Sequence, residues 1–108
     1  MLLVLHPEQY NINGLKLYYA KDGKAGGSWL GISGYKRLVC LMNGAFDFYF
    51  PEPPYKKSRG LVLLDILSIK DKEKLIEYND LSGIEPFTMF IIEWSSGFEL
   101  FELRWDGT

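Results

Sequence analysis

The chain has 108 residues, 47% hydrophobic and 16% aromatic, with a formal net charge of -2. That length allows one domain, residues 1–108, burying roughly 60–68% of its unfolded surface, and the apolar fraction excludes a disordered chain. Lys56, Lys57 and Arg59 form the sole tight basic cluster, too few charges for a nucleic-acid footprint, and no run approaches the roughly 20 apolar residues of a membrane helix.

The opening Met1-Leu2-Leu3-Val4-Leu5 is too short for a signal-peptide core and has no basic residue before it. Leu15 to Tyr19 reads as a strand, entered through Asn13-Gly14 and left through Asp22-Gly23. Trp29 to Ile32 is a second strand, Ser33-Gly34 a turn, and Arg37 to Met42 a third strand. The third is apolar on both faces, which asks for layers above and below the sheet. Asn43 to Tyr55 is a loop, because Pro51, Pro53 and Pro54 exclude a helix there.

Ser58 is the expected N-cap of a helix from Arg59 to about Leu67. That helix is apolar almost all round and is therefore expected to be central. Ser68-Ile69-Lys70-Asp71 resembles a capping box and starts a short charged helix ending near Tyr78. Phe87 to Glu93 and Phe98 to Trp105 are strands joined by Ser95-Ser96-Gly97. The elements predict an α+β domain, a mostly antiparallel sheet or sheets packed on a central helix. The chain ends directly after a strand, which reads as a domain fragment or a split gene product, and uncovered sheet edges favour a homodimer or larger homo-oligomer.

The chemistry-bearing residues are few. One cysteine excludes a disulfide framework or thiolate cluster and fits a reducing, cytoplasmic setting, and Cys40 reads as a buried, inert thiol. His6, the only histidine, cannot build a usual zinc site or a histidine triad alone. No metal or cofactor is expected. Gly26-Gly27 either lets the chain pass a neighbouring element tightly or exposes backbone to a ligand. Asn43-Gly44 is either a turn or the placement of an amide that donates to an oxyanion.

Arg59 sits against the preference of a helix N-terminus for negative charge, so it is either solvated or answers to a carboxylate elsewhere or a ligand. Trp29, Trp94 and Trp105 read first as packing residues. Asp65, in an apolar helix, needs a partner such as Arg104 or Lys16. Phe46, Phe48, Tyr49, Phe50 and Tyr55 in the aromatic-proline loop are candidate anchors for a protein partner.

In order, Gly26-Gly27-Ser28-Trp29-Leu30-Gly31, Leu41-Met42-Asn43-Gly44, Ser58-Arg59-Gly60-Leu61-Val62 and Pro86-Phe87-Thr88-Met89 resemble the NRDE family over roughly residues 15–108. The resemblance implies part of an αββα sandwich like that of N-terminal nucleophile hydrolases. In such proteins a cysteine after the initiator methionine attacks an amide, with its own α-amino group as base. Here position 2 is Leu2, and no Asn-Arg-Asp-Glu segment occurs. The resemblance therefore implies no catalytic residue in this chain. Asn43 would lie near the oxyanion position, with Arg59, Trp29 and Gly27 at a cleft. Three expectations follow: a member without an intact catalytic centre, the scaffold of a cysteine-dependent amide hydrolase whose nucleophile lies upstream, or a binding module using residues 46–55.

Overall fold

The computed structural model describes residues 7–21, 27–43, 57–76 and 81–107. Its strands are β1 (Glu8–Ile12), β2 (Leu15–Tyr19), β3 (Leu30–Ser33), β4 (Arg37–Asn43), β5 (Phe87–Glu93) and β6 (Glu99–Trp105), and its helices are α1 (Arg59–Ser68) and α2 (Lys72–Ile76). The strands form one six-stranded sheet in chain order, every pair antiparallel. The expected α+β class with a mostly antiparallel sheet stands.

Strand β1 has no counterpart in the sequence reading, because Glu-Gln-Tyr-Asn-Ile carries too little apolar alternation to be seen alone. Asn13 and Gly14, with φ of 52° and 83°, form the tight turn that returns β1 onto β2. The aromatic ring of Tyr10 stacks on that of Tyr19, centroids 4.4 Å apart.

Period-two alternation divides the sheet into two faces. One carries Leu17, Tyr19, Val39, Phe87, Met89 and Ile91, all buried, and α1 lies on it over β3 and β4. Val62, Leu63, Ile66 and Leu67 form the buried stripe of α1. A helix of ten residues is marginal in isolation. Burying each of these side chains contributes about 1.5–3 kcal/mol, so the sheet holds the helix in place. Gly31 permits the approach, since a Cβ there would come within 2.6 Å of Leu67 Cδ1.

Helix α1 is thus a layer on one side of the sheet, with Leu61 and Leu64 half-buried, rather than a central rod between two hairpins. Ser58 caps it as expected, its hydroxyl accepting from Leu61 N at 3.2 Å. Ser68 does not open the next helix. Its hydroxyl turns back to donate to Leu64 O at 2.8 Å, and α2 starts at Lys72.

The opposite sheet face is apolar and open. Backbone register sets Tyr18, Ile32, Leu38, Ile92 and Leu100 in one row across β2 to β6. Leu30, Cys40 and Phe90 form the next row, ending at Glu102. Tyr18, Leu30, Ile32, Met42 and Leu100 are exposed, while Leu38, Cys40, Phe90 and Ile92 are half-buried. Of the two layers expected on either side of β4, the described residues supply one. Cys40 is accordingly less buried than its apolar neighbours imply. No helix among the described residues is long and apolar enough to cross a membrane.

Candidate functional site

The residues singled out from the sequence gather at one end of the sheet. β3 begins just after Trp29, β4 ends at Asn43, β5 begins opposite Asn43 at Phe87, and α1 begins at Arg59. The glycine-rich word before β3 lies against the first turn of α1. A Cβ on Gly27 would stand 2.3 Å from the carbonyl carbon of Gly60, and one on Gly60 would stand 2.8 Å from Ser28 N. Ser28 N donates to Gly60 O at 3.3 Å, and its hydroxyl donates to Ala20 O at 2.7 Å. Of the two readings of Gly27, close backbone packing is the one that these contacts support.

Arg59 answers to a carboxylate from another segment. Its Nη1 donates to Pro86 O at 2.9 Å and its Nη2 lies 3.4 Å from Glu85 Oε1, both side chains being partly buried. The guanidinium therefore ties the start of α1 to the segment entering β5, which offsets its unfavourable position at the helix N-terminus. Lys57 bridges backbone to Ile84 in the same region, and its amine pairs with Asp65. That pair corrects the expectation that Arg104 or Lys16 would meet Asp65. About two turns of helix separate Asp65 from the N-terminal segment, within reach of the long Lys57 side chain, whereas Arg104 lies across the sheet from α1 and pairs with Glu102.

Trp29 is half exposed rather than packed, with its carbonyl accepting from Leu41 N at 2.8 Å. Trp105 packs against the core and donates from Nε1 to Ile84 O at 2.8 Å. Asn43 closes β4 as the last residue paired to β5. Gly26, His6 and the candidate partner anchors Phe46, Phe48, Tyr49, Phe50 and Tyr55 lie outside the described residues.

The most strongly buried charges sit at the other end of the sheet. Arg37 is fully buried, and its Nε donates to Glu93 Oε2 at 2.6 Å. Its Nη1 donates to Ile66 O at 2.7 Å and also to Ile69 O. Glu93 in turn accepts from Ser95 Oγ at 3.3 Å. The guanidinium thus neutralises a buried carboxylate and satisfies carbonyls at the C-terminus of α1, where cations are favoured. Its Nη2 is buried with no acceptor among the described residues.

The sequence reading missed this pair. Arg37 and Glu93 share the inward parity of Val39 and Ile91, so a charge of each sign on two otherwise apolar strand faces was the available signal. Beside Glu93 opens a polar cleft of about 360 Å³ lined by Tyr35, Lys70, Asp71, Lys72, Glu73 and Ser95. Within it Lys72 pairs with Glu99, a hydrogen bond that raises the amine's pKa above its usual range. Among the described residues, no three His, Cys, Asp or Glu side chains come together as a metal-binding group.

Comparison with protein-family models, with curated proteins and with solved structures finds no match to this chain.

Proposed function

We propose that this chain is a non-catalytic scaffold, an NRDE-like half of a double-sheet sandwich, whose role is to seat a second apolar layer on the sheet face opposite α1. The observation that carries this reading is the exposure of Tyr18, Leu30, Ile32, Met42 and Leu100 on one continuous sheet face. Soluble domains rarely leave so extended an apolar patch without a partner for it. The engagement of Gly27, Gly60 and Arg59 in backbone packing and ion pairing supports an architectural role for those words of the sequence.

Cys40 reports on that face, because it is half-buried among the exposed residues and is the only cysteine. Maleimide labelling in extracts of the cells that make the protein should be slow for Cys40, and fast for purified, urea-unfolded chain. Labelling in the extract as fast as in the unfolded chain would refute the reading.

A second reading rests on the gathering of Gly27, Trp29, Asn43 and Arg59 at one end of the sheet. In it the chain is the scaffold of a cysteine-dependent amide hydrolase, with its nucleophile supplied upstream. Mass spectrometry of the native N-terminal peptides decides between the two. A mature terminus at a cysteine preceding Met1 favours the hydrolase, and a terminus at Met1 or Leu2 removes it.

A further inference from the structure

We infer that the layer seated on the open sheet face is a second copy of this chain, packed face to face about a two-fold axis along β4. The inference rests on the open-face reading above and names its occupant.

Area is the first argument. At roughly 200 Å² for a fully exposed large side chain, the exposed parts of Tyr18, Leu30, Ile32, Met42 and Leu100 amount to about 490 Å². That lies in the upper part of the roughly 300–600 Å² spanned by the largest apolar patch on a typical monomer, a patch that is often functional. Half-buried Leu38, Cys40, Phe90 and Ile92, together with the polar margin, add to this area, toward the roughly 800 Å² per partner of a stable interface.

Charge and symmetry are the second argument. On this face β3, β4 and β5 present Leu30, Ile32, Leu38, Cys40, Met42, Thr88, Phe90 and Ile92, with no charged residue among them. Charges lie only at the margins, Lys16 on β2 and the paired Glu102 and Arg104 on β6. Since β4 is central to the five strands from β2 to β6, a two-fold along it sets β3 over the partner's β5 and β2 over the partner's β6. Apolar strands then meet apolar strands, and the charged residues stay at the rim of the interface. An interface of this kind is isologous, so each such match occurs twice. Two twisted sheets pack in this way about 10 Å apart.

The test is sedimentation of the purified chain across micromolar concentrations, the weak end for interfaces of this size. Wild type is expected at twice the chain mass. Ile32→Glu, which places a carboxylate in the middle of the face, is expected at the chain mass with the circular dichroism of the folded sheet. Ile12→Glu is the control, being similarly exposed but on the other face of the sheet, and it is expected to remain dimeric. Should Ile32→Glu not fold, Leu100→Lys gives the same readout from a position that is 69% exposed.

Wild type sedimenting at the chain mass throughout overturns the inference, as does a dimer that survives both face substitutions. A monomeric purified chain whose Cys40 is nonetheless protected in cell extracts assigns the face to a different polypeptide. That result overturns the second copy while leaving the open-face reading intact. Full labelling of Cys40 in both settings removes both.

Discussion

Replacing Glu93 by alanine removes the only carboxylate among the described residues that pairs with the Arg37 guanidinium, which is 0% exposed. Two helix carbonyls, Ile66 O and Ile69 O, remain as partners for Arg37. They neutralise none of its charge. Stripping one member from a buried ion pair typically costs about 3–5 kcal/mol, because the survivor stays desolvated and uncompensated. For a domain of this size total stability is about 5–15 kcal/mol, so Glu93→Ala consumes a large share of it and lowers the melting temperature by at least about 12 °C.

Arg37→Met strands the Glu93 carboxylate instead and also uncaps the end of α1, so it should cost at least as much. The double variant Arg37→Met/Glu93→Leu buries no charge and loses only the two carbonyl contacts, so it should be milder than the sum of its parts by about 2–3 kcal/mol. Urea unfolding followed by circular dichroism at one fixed protein concentration measures all three variants. If Glu93→Ala stays within about 1 kcal/mol of wild type at unchanged m-value, or if the single costs simply add, the pair is not the buried, coupled contact argued for it.

Two further outcomes are expected. Gly27→Ala should destabilise the fold more than Gly31→Ala, by about 1–3 kcal/mol in urea midpoints converted to free energy. The reason is that a Cβ at Gly27 meets the backbone of Gly60 at 2.3 Å, whereas at Gly31 it meets the movable Cδ1 of Leu67. Equal costs would show that the approach of α1 to the segment before β3 is looser than these contacts require. Burial, and then the neighbouring Tyr10 hydroxyl, raises the Tyr19 pKa above 10.0. The folded state therefore holds that proton more tightly than the unfolded chain, so the contribution of Tyr19 to stability should be level below pH 10.0 and fall as pH rises through the folded-state value. Tyr19→Phe should make urea midpoints less steep in that range, and a slope identical to wild type would count against the stacked, buried phenol.

Much of the domain was legible in the sequence because its signals are local. Period-two runs marked β2 to β6, and a hydroxyl followed by an apolar run marked the capped start of α1. The conflict between Arg59 and its helix terminus was also visible, since the dipole preference belongs to that helix alone. Tertiary structure decided what depends on register and on neighbours distant in sequence. It brought Arg37 to Glu93, 56 positions apart, and it gave Lys57 rather than Arg104 to Asp65. It recruited the weakly patterned β1, and it put α1 on one sheet face while the described residues lay no second layer on the other. A strand's alternation records which residues share a face, but the partner strand and the covering layer follow from the free energy of the assembled sheet. For that reason the apolar residues on both sides of β4 could be counted from the sequence, whereas only the fold could say which side remained open.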